Sequence, residues 1–520
     1  MSVGAAGPAE GTPGAGRDLA AFVERWAHRC PDAPAVEFES HAWTYAQFAT
    51  RVAATAVALA ERGVVEGDRV AWLGPNRPTA LELLLACSRL GAILLPLNSR
   101  LAVPEHAWIL DDAEPRLLLC DEEFAGHAAA AAAACGRAAE CETVPPVEPL
   151  GGATAPAPRA GTPGHAVLLA YTSGTTGRPK GAVLTQSALL ANAVNSTHAH
   201  DLTRHDRVLT VIPLFHVGGL NIQTVPALLG GAAVLIHRAF DPGLFLDDVA
   251  RWQPTWTVLV PAALSAVSAH PGFDEADLTS LRGVMTGSSP VPAAATKPFT
   301  ERGVGVGEIY GATETAPICV HRRADEATDR PGTCGKPSTL CEVRLVPTAG
   351  STAGGAAPTA AGAPAEIWVR GPSVMREYWR NPAATAAALV DGWYRTGDLA
   401  HADADGWLYL DDRLTDLVVS GGENVYPAEI EEQLADCGLL AEAAVIGRPD
   451  DRWGEVPIVI AVAADGSAAG TAEESAAVLD HLRGRLARFK IPAEVLWTDA
   501  LPRTALGKVR KAVLRERFAR

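Results

Sequence analysis

No apolar run in this chain of 520 residues reaches the roughly 18 residues that a membrane-spanning helix needs, so a helical membrane protein is not expected. The nine cysteines (30, 87, 120, 135, 141, 319, 334, 341 and 437) show no CxxC spacing. Neither a zinc site nor a disulfide framework follows from such scattered thiols; they fit reduced, mostly buried side chains and a cytoplasmic setting. Positive charge is in short supply as well. Lys and Arg number 44 against 60 Asp and Glu, giving a formal net charge of -16 and a pI near 5.4, which argues against nucleic acid or an anionic membrane as partner. Residues 1–17 have neither a basic start nor an apolar core and, being rich in Gly, Ala and Pro, read as a loose, disordered tail.

The length calls for two or more domains with a large buried core. Thr44-Tyr-Ala-Gln47 forms a capping box before a helix with Phe48, Val52 and Leu59 on one face and Gly63 at its end. Apolar strands then alternate with helical stretches: 69–73, 80–90, 92–95, 104–111 and 116–120, and again at 166–171, 207–212, 233–237, 257–260, 283–286 and 305–309. This alternation predicts an α/β fold, a large N-terminal domain of parallel-type sheets wrapped by helices. Residues 125–164 are an Ala- and Pro-rich excursion with room for a poor helix, and 347–365 are low in complexity. After a boundary near 413–416, a helix at 427–434, strands at 443–446 and 456–463, a helix at 473–488, a strand at 494–497 and a terminal helix from 509 make a smaller α+β domain. The expected division is therefore a tail over 1–17, a large domain over 18–412, a hinge at 413–416 and a mobile domain over 417–520, with a cleft between the two domains.

Tyr171-Thr-Ser-Gly-Thr-Thr-Gly-Arg-Pro-Lys-Gly181 follows one of those strands. Gly174, Gly177 and Gly181 let the backbone approach an anion, Thr172, Ser173, Thr175 and Thr176 supply hydroxyl donors, and Lys180 supplies charge, which together suit a phosphate. An ordinary NTPase P-loop is excluded because Pro179 stands where its second glycine belongs. A surface turn uses the same small residues; the ordered strand, proline and lysine favour phosphate. Four further segments carry candidate chemistry: Pro213-Leu-Phe-His216-Val-Gly-Gly219, Gly287-Ser-Ser-Pro290, Tyr310-Gly-Ala-Thr-Glu314 and Thr396-Gly-Asp398. Taken singly, each is also compatible with a plain turn or a structural side chain.

The loop and these segments, in this order, resemble the adenylate-forming superfamily, in particular its acyl- and aryl-CoA synthetases. The resemblance covers roughly residues 20–515. It implies ATP, Mg²⁺ and CoA as bound cofactors, with the loop residues Thr172 to Gly177 and Lys180 on the β- and γ-phosphates. Thr313 would contact the α-phosphate, Glu314 would ligate Mg²⁺, and Tyr310, Gly311, Gly287, Ser288 and Ser289 would border the adenine and the acyl pocket. Asp398 would hold the ribose hydroxyls and Arg413 ribose or phosphate. Gly421 and Gly422 would line a channel for the pantetheine arm, and His216 would line and gate the acyl pocket. Lys508, in Leu501-Pro-Arg-Thr-Ala-Leu-Gly-Lys508, would be the mobile catalytic cation bridging the substrate carboxylate and the α-phosphate.

Three departures matter. Ser288 and Ser289 replace the more usual Gly-Ala, which narrows or polarises the pocket unless the hydroxyls bond back to the loop, and makes a long unbranched fatty acid less attractive. Peptide-synthetase relatives tend to place Asp near the His216 motif to bind an α-ammonium group, so its absence disfavours an amino acid. Thr415 stands at the hinge where Asp or Lys is more usual. The implied reaction activates a carboxylic acid as acyl-AMP and transfers it to CoA. Loading of a carrier protein, or passage of an activated small acid or anion such as nitrite to an amine, remains an alternative.

Overall fold

The computed structural model describes residues 18–135, 140–144, 148–151, 158–172, 179–287, 291, 293–326, 330–347, 365–413, 416–420, 423–450, 454–464, 470–483, 485–486, 490–504 and 507–519. The N-terminal stretch expected to be a tail lies outside them, as do Leu414, Thr415 and most of the 347–365 stretch.

Two mostly parallel sheets dominate. The first runs, strand by strand, Glu377–Tyr378, Lys180–Thr185, Ala166–Thr172, Ile93–Leu97, Arg69–Leu73, Leu117–Cys120 and Glu140–Thr143. Its strands are parallel from Ala166–Thr172 onwards and antiparallel at the edge made by Lys180–Thr185 and Glu377–Tyr378. The second has a parallel centre, Val306–Tyr310, Gly283–Gly287, Trp256–Val258, Arg207–Thr210, Ala233–Ile236 and Pro34–Phe38, with antiparallel strands at both edges. Both faces of the first sheet are buried. Val70 and Trp72 enter the core shared with the second sheet, while Ala71 and Leu73 enter another core on the opposite face. This explains why these strands read as continuous apolar runs rather than as alternating ones.

The helix Pro78–Leu90 is buried at every residue but Arg89. Its sequence is apolar nearly all round, as a helix enclosed by other elements requires. Pro78 starts it, where a missing N–H costs nothing, and Gly91 ends it in the left-handed region with φ 72°. The capping box at Thr44 forms as expected, with Gln47 reciprocating. Most predicted strands fall within one to three residues of their observed limits. The excursion at 125–164 contains the helix Ala125–Ala134 and the edge strand Glu140–Thr143.

A third sheet was not anticipated. Glu342–Val346, Ala365–Arg370, Trp393–Ala402, Leu389–Val390 and Leu408–Arg413 form an antiparallel layer that packs through Ile367, Val369, Ala400 and Leu408 against Tyr310, Cys319 and Cys334. Beyond it, the strands Val418–Ser420, Glu423–Val425, Leu440–Asp450, Gly454–Ala463 and Val495–Trp497 build the fourth sheet. Val445 and Val459 face the helices Pro427–Leu434 and Ala472–Arg483; Ile446, Ile458 and Ile460 face the terminal helix Lys511–Phe518 through Leu514. The smaller α+β unit thus has a core on each side of its sheet.

One buried ion pair ties strand ends together. Arg77, at the N-cap of the buried helix, pairs with Asp121, which follows the strand Leu117–Cys120; their side chains are 1% and 7% exposed. Asp121→Ala would leave the guanidinium buried without its main counter-charge, so a loss of about 3 kcal/mol or more is expected, read as a lower urea midpoint in equilibrium denaturation.

Candidate active site

Several candidate residues, Thr172, His216, Gly287 and Tyr310, stand at or just after the C-terminal ends of strands in the two parallel-centred sheets, where open α/β sheets bind ligands. Thr172 closes its strand and pairs across the hairpin with Lys180. Ser173, Gly174, Thr175, Thr176 and Gly177 between them lie outside the described residues, but the base of the loop is anchored. The Tyr171 hydroxyl donates to Asp112 at 2.5 Å, and the Trp379 indole N–H donates to the Asp112 carbonyl at 3.1 Å.

Gly287 ends one strand and Gly311 directly follows the neighbouring strand Val306–Tyr310, and close backbone approach explains both. A Cβ on Gly311 would lie 1.5 Å from the Pro317 carbonyl oxygen, and one on Gly287 would lie 2.2 Å from that of Ile309. Ser288 and Ser289 are outside the described residues. After Gly311, Thr313 opens a short 3₁₀ turn and Glu314 folds inward, 7% exposed. Its Oε1 accepts a hydrogen bond from the Tyr378 hydroxyl at 2.6 Å, and its carbonyl accepts one from Met375 N at 2.7 Å. Lys180 Nζ sits 4.8 Å above the Tyr378 ring, within the range of a cation–π contact.

A second tyrosine–carboxylate pair stands alongside. The Tyr310 hydroxyl donates to Asp398 Oδ2 at 2.8 Å, and Thr396, two residues earlier, accepts from Asp398 N at 3.0 Å. Asp398 lies opposite Arg413 in the antiparallel ladder, which joins the two predicted residues through the backbone; only the backbone of Arg413 is described. Burial, and then the neighbouring carboxylate charge, push the Tyr310 and Tyr378 hydroxyls above their ordinary range. Both therefore remain donors. Tyr394 lies within electrostatic reach of Glu314 and Asp398 and shares their surroundings.

His216 caps a helical turn, its Nδ1 accepting from Gly218 N at 3.0 Å, so the ring proton is on Nε2. Burial, and then the positive charge of Lys508, lower its pKa to about 4. The charge of Lys508, from the C-terminal unit, thus acts on His216 of the large one. Its own turn is tight: Thr504 N donates to the Lys508 carbonyl at 2.7 Å, and Lys508 N donates to Thr504 Oγ1 at 3.2 Å. Gly421 and Gly422, expected near the thiol channel, lie outside the described residues.

Among the described residues, no three His, Cys, Asp or Glu side chains form a metal cage. A buried Glu314, linked through Tyr378 to Lys180, suits Mg²⁺, which takes one or two protein carboxylates and completes its shell with phosphates and water. Sequence reading missed two residues here. Tyr378 is one. Asn76 is the other: its Nδ2 donates to the Ile212 carbonyl at 3.0 Å and its Oδ1 accepts from Leu214 N at 2.7 Å. It clamps the backbone just ahead of His216 from the other sheet. Neither residue stands in a pattern that marks it, since their partners lie 64, 136 and 138 positions away.

Asn76→Ala is expected to cost about 1–3 kcal/mol by orphaning two buried backbone groups and to raise KM for the acid more than KM for ATP, checked by denaturation and steady-state kinetics. His106, His200 and His216 all have pKa values lowered to about 4, chiefly by burial, against about 6.5 unfolded. The unfolded chain takes up these protons first. Stability should therefore be full above about pH 6.5 and fall as the pH drops towards 4, seen as a declining thermal midpoint over that window.

Comparison with known proteins places the chain in a family. Residues 23–379 match the AMP-binding enzyme family and residues 429–508 match the AMP-binding enzyme C-terminal domain. The chain is 44% identical to the indoleacetate–CoA ligase of Aromatoleum aromaticum over 97% of its own length and 98% of that enzyme. It is 42% identical to a feruloyl-CoA synthase of an Amycolatopsis species, over 96% and 99% respectively. It superimposes on ATP-bound MatB from Rhodopseudomonas palustris with a TM-score of 0.86 at 32% identity, covering 97% of this chain and 99% of that one. The chain belongs to the AMP-binding enzyme family and is an ATP-dependent ligase that activates a carboxylic acid as its adenylate and joins it to the thiol of CoA.

Proposed function

We propose that the acid is an aryl-substituted one of arylacetic or arylacrylic type, and that the residues gathered at the strand ends divide the work as follows. The acid's carboxylate attacks the α-phosphorus of ATP, forming acyl-AMP as pyrophosphate leaves. Lys508 offsets the charge on the pentavalent phosphorus and orients the attacking carboxylate. Lys180 and the loop from Thr172 hold the departing phosphates, Thr313 steadies the α-phosphate, and Asp398 holds the ribose. Glu314 would hold Mg²⁺, which supplies neutralisation of the triphosphate charge. The CoA thiolate then attacks the acyl carbon, and AMP leaves with the bonding electrons.

The observation that carries this reading is the pair of oriented carboxylates, Glu314 held by the Tyr378 hydroxyl at 2.6 Å with Lys180 on the same ring, and Asp398 held by the Tyr310 hydroxyl at 2.8 Å; the charge of Lys508 acting on His216 supports it. The aryl assignment is supported by the names of the indoleacetate and feruloyl ligases. His216, neutral at pH 7, would line that pocket without adding charge. The same small unit would serve the thiol step by rotating about the hinge at 413–416, with Gly421 and Gly422 along the pantetheine channel. Nine free cysteines are consistent with a reducing, cytoplasmic location. Free CoA is preferred to a carrier protein as acceptor because the relatives named above are CoA enzymes.

Pyrophosphate release across a panel of acids should be fastest with indoleacetate, ferulate or a close aryl analogue; a preference for long-chain fatty acids would overturn the aryl assignment. Lys508→Ala should abolish acyl-AMP formation while largely sparing thioester formation from supplied acyl-AMP. Equal loss in both half-reactions would remove Lys508 from the adenylation step.

A further inference from the structure

We propose that Tyr378 is the positioning residue that couples the phosphate loop to the metal-binding carboxylate, fixing Glu314 as a ligand through a single oxygen. This rests on the reading of Glu314 as the Mg²⁺ ligand. Two independent contacts converge on the one side chain. Its hydroxyl donates to Glu314 Oε1 at 2.6 Å, the length of a charge-assisted bond, and its ring lies 4.8 Å beneath Lys180 Nζ.

The backbone explains how Tyr378 can do both. The two-residue strand Glu377–Tyr378 adds to the edge of the seven-stranded sheet, pairing Tyr378 with Ala182 and Glu377 with Val183. Trp379 N donates to the Gly181 carbonyl at 2.7 Å, and Met375 N donates to the Glu314 carbonyl at 2.7 Å. The segment 375–379 is therefore bonded through its main chain to the loop hairpin at one end and to the Glu314 turn at the other. Tyr378 is 5% exposed and its hydroxyl is engaged by Glu314, so the ring has little freedom to turn.

The chemical consequence follows from the inventory of donors and acceptors. A phenol hydroxyl has one proton, and here it is given to Oε1, leaving Oε2 as the oxygen with its lone pairs directed elsewhere. A carboxylate held this way offers a cation one oxygen at a defined angle, which suits the near-octahedral demand of Mg²⁺ better than a swinging or bidentate carboxylate. The ring meanwhile holds the Lys180 ammonium by its π-face. An aromatic face steadies the cation without neutralising it, so its charge stays available to a phosphate. A shift of either contact moves the other, because both end on one rigid ring.

Tyr378→Phe removes the hydroxyl and keeps the ring, which separates the two roles. The test is Mn²⁺ binding, followed by the spin-resonance signal of the free ion, to the protein saturated with α,β-methylene ATP, which cannot be cleaved at the reacting bond. Glu314→Gln is the reference. Both variants should need about tenfold to a hundredfold more Mn²⁺ for half-saturation than the wild type, the range for loss of a partner that orients a metal ligand. The Phe variant should also show a raised Mg²⁺ requirement for pyrophosphate release, with KM for the acid and thioester formation from supplied acyl-AMP unchanged. Weakened binding in Glu314→Gln with wild-type binding in Tyr378→Phe overturns the proposal for Tyr378 and leaves the reading of Glu314 standing. Wild-type binding in both variants overturns the reading of Glu314 and the proposal with it.

Discussion

The site depends on two carboxylates, each held in one orientation by a tyrosine hydroxyl. Glu314 is nearly buried, and Asp398 sits beside the buried ring of Tyr310. Removing a carboxylate from water is costly unless strong donors replace the solvent. The protein supplies a tyrosine hydroxyl to each, Tyr378 to Glu314 and Tyr310 to Asp398. Because burial and carboxylate charge both raise the tyrosine pKa values, the hydroxyls do not give up their protons. Each carboxylate is left with acceptor capacity for a ligand, while its orientation is set by the protein.

This arrangement needs all the large-domain layers. Tyr310 ends a strand of the nine-stranded sheet, Asp398 lies on the antiparallel layer, and Tyr378 forms the edge of the seven-stranded sheet. Glu314 stands in the turn among them. The fold holds the layers in register through buried polar contacts as much as through apolar packing: Arg77 with Asp121, Asn76 with the backbone at 212 and 214, and Asn192 accepting from Ile318 N at 3.0 Å. Such bonds add modest net stability but penalise any other arrangement, since each broken one strands a buried polar group. The C-terminal unit contributes the charge of Lys508, which acts on His216, 292 residues away in the chain, as their numbers show.

Much of this was readable from the sequence where the physics is local. The capping box at Thr44, the left-handed Gly63 just past the helix it opens and the apolar strands of the two large sheets depend on neighbours within a few residues, and they appear where expected. The antiparallel layer was not readable. Its strands are antiparallel and interrupted by the low-complexity stretch after 347, and polar residues such as Glu366, Arg395 and Asp398 stand among their apolar ones, so neither continuous apolar runs nor a βα rhythm marks them. Tyr378 and Asn76 escaped notice for a related reason. A tyrosine in a two-residue strand and an asparagine in a Gly-Pro-Asn turn look ordinary until their distant partners are seen.

By itself the sequence determined the nucleotide chemistry and the order of its parts, because a phosphate loop and short turns ending strands are encoded by contiguous residues whose backbone freedom and side-chain donors are local properties. Tertiary structure alone decided which of those residues meet, which oxygen of Glu314 is occupied, and what holds the His216 loop. Those outcomes are set by strand order and register, which place side chains far apart in the chain within hydrogen-bond reach, and no local propensity specifies them.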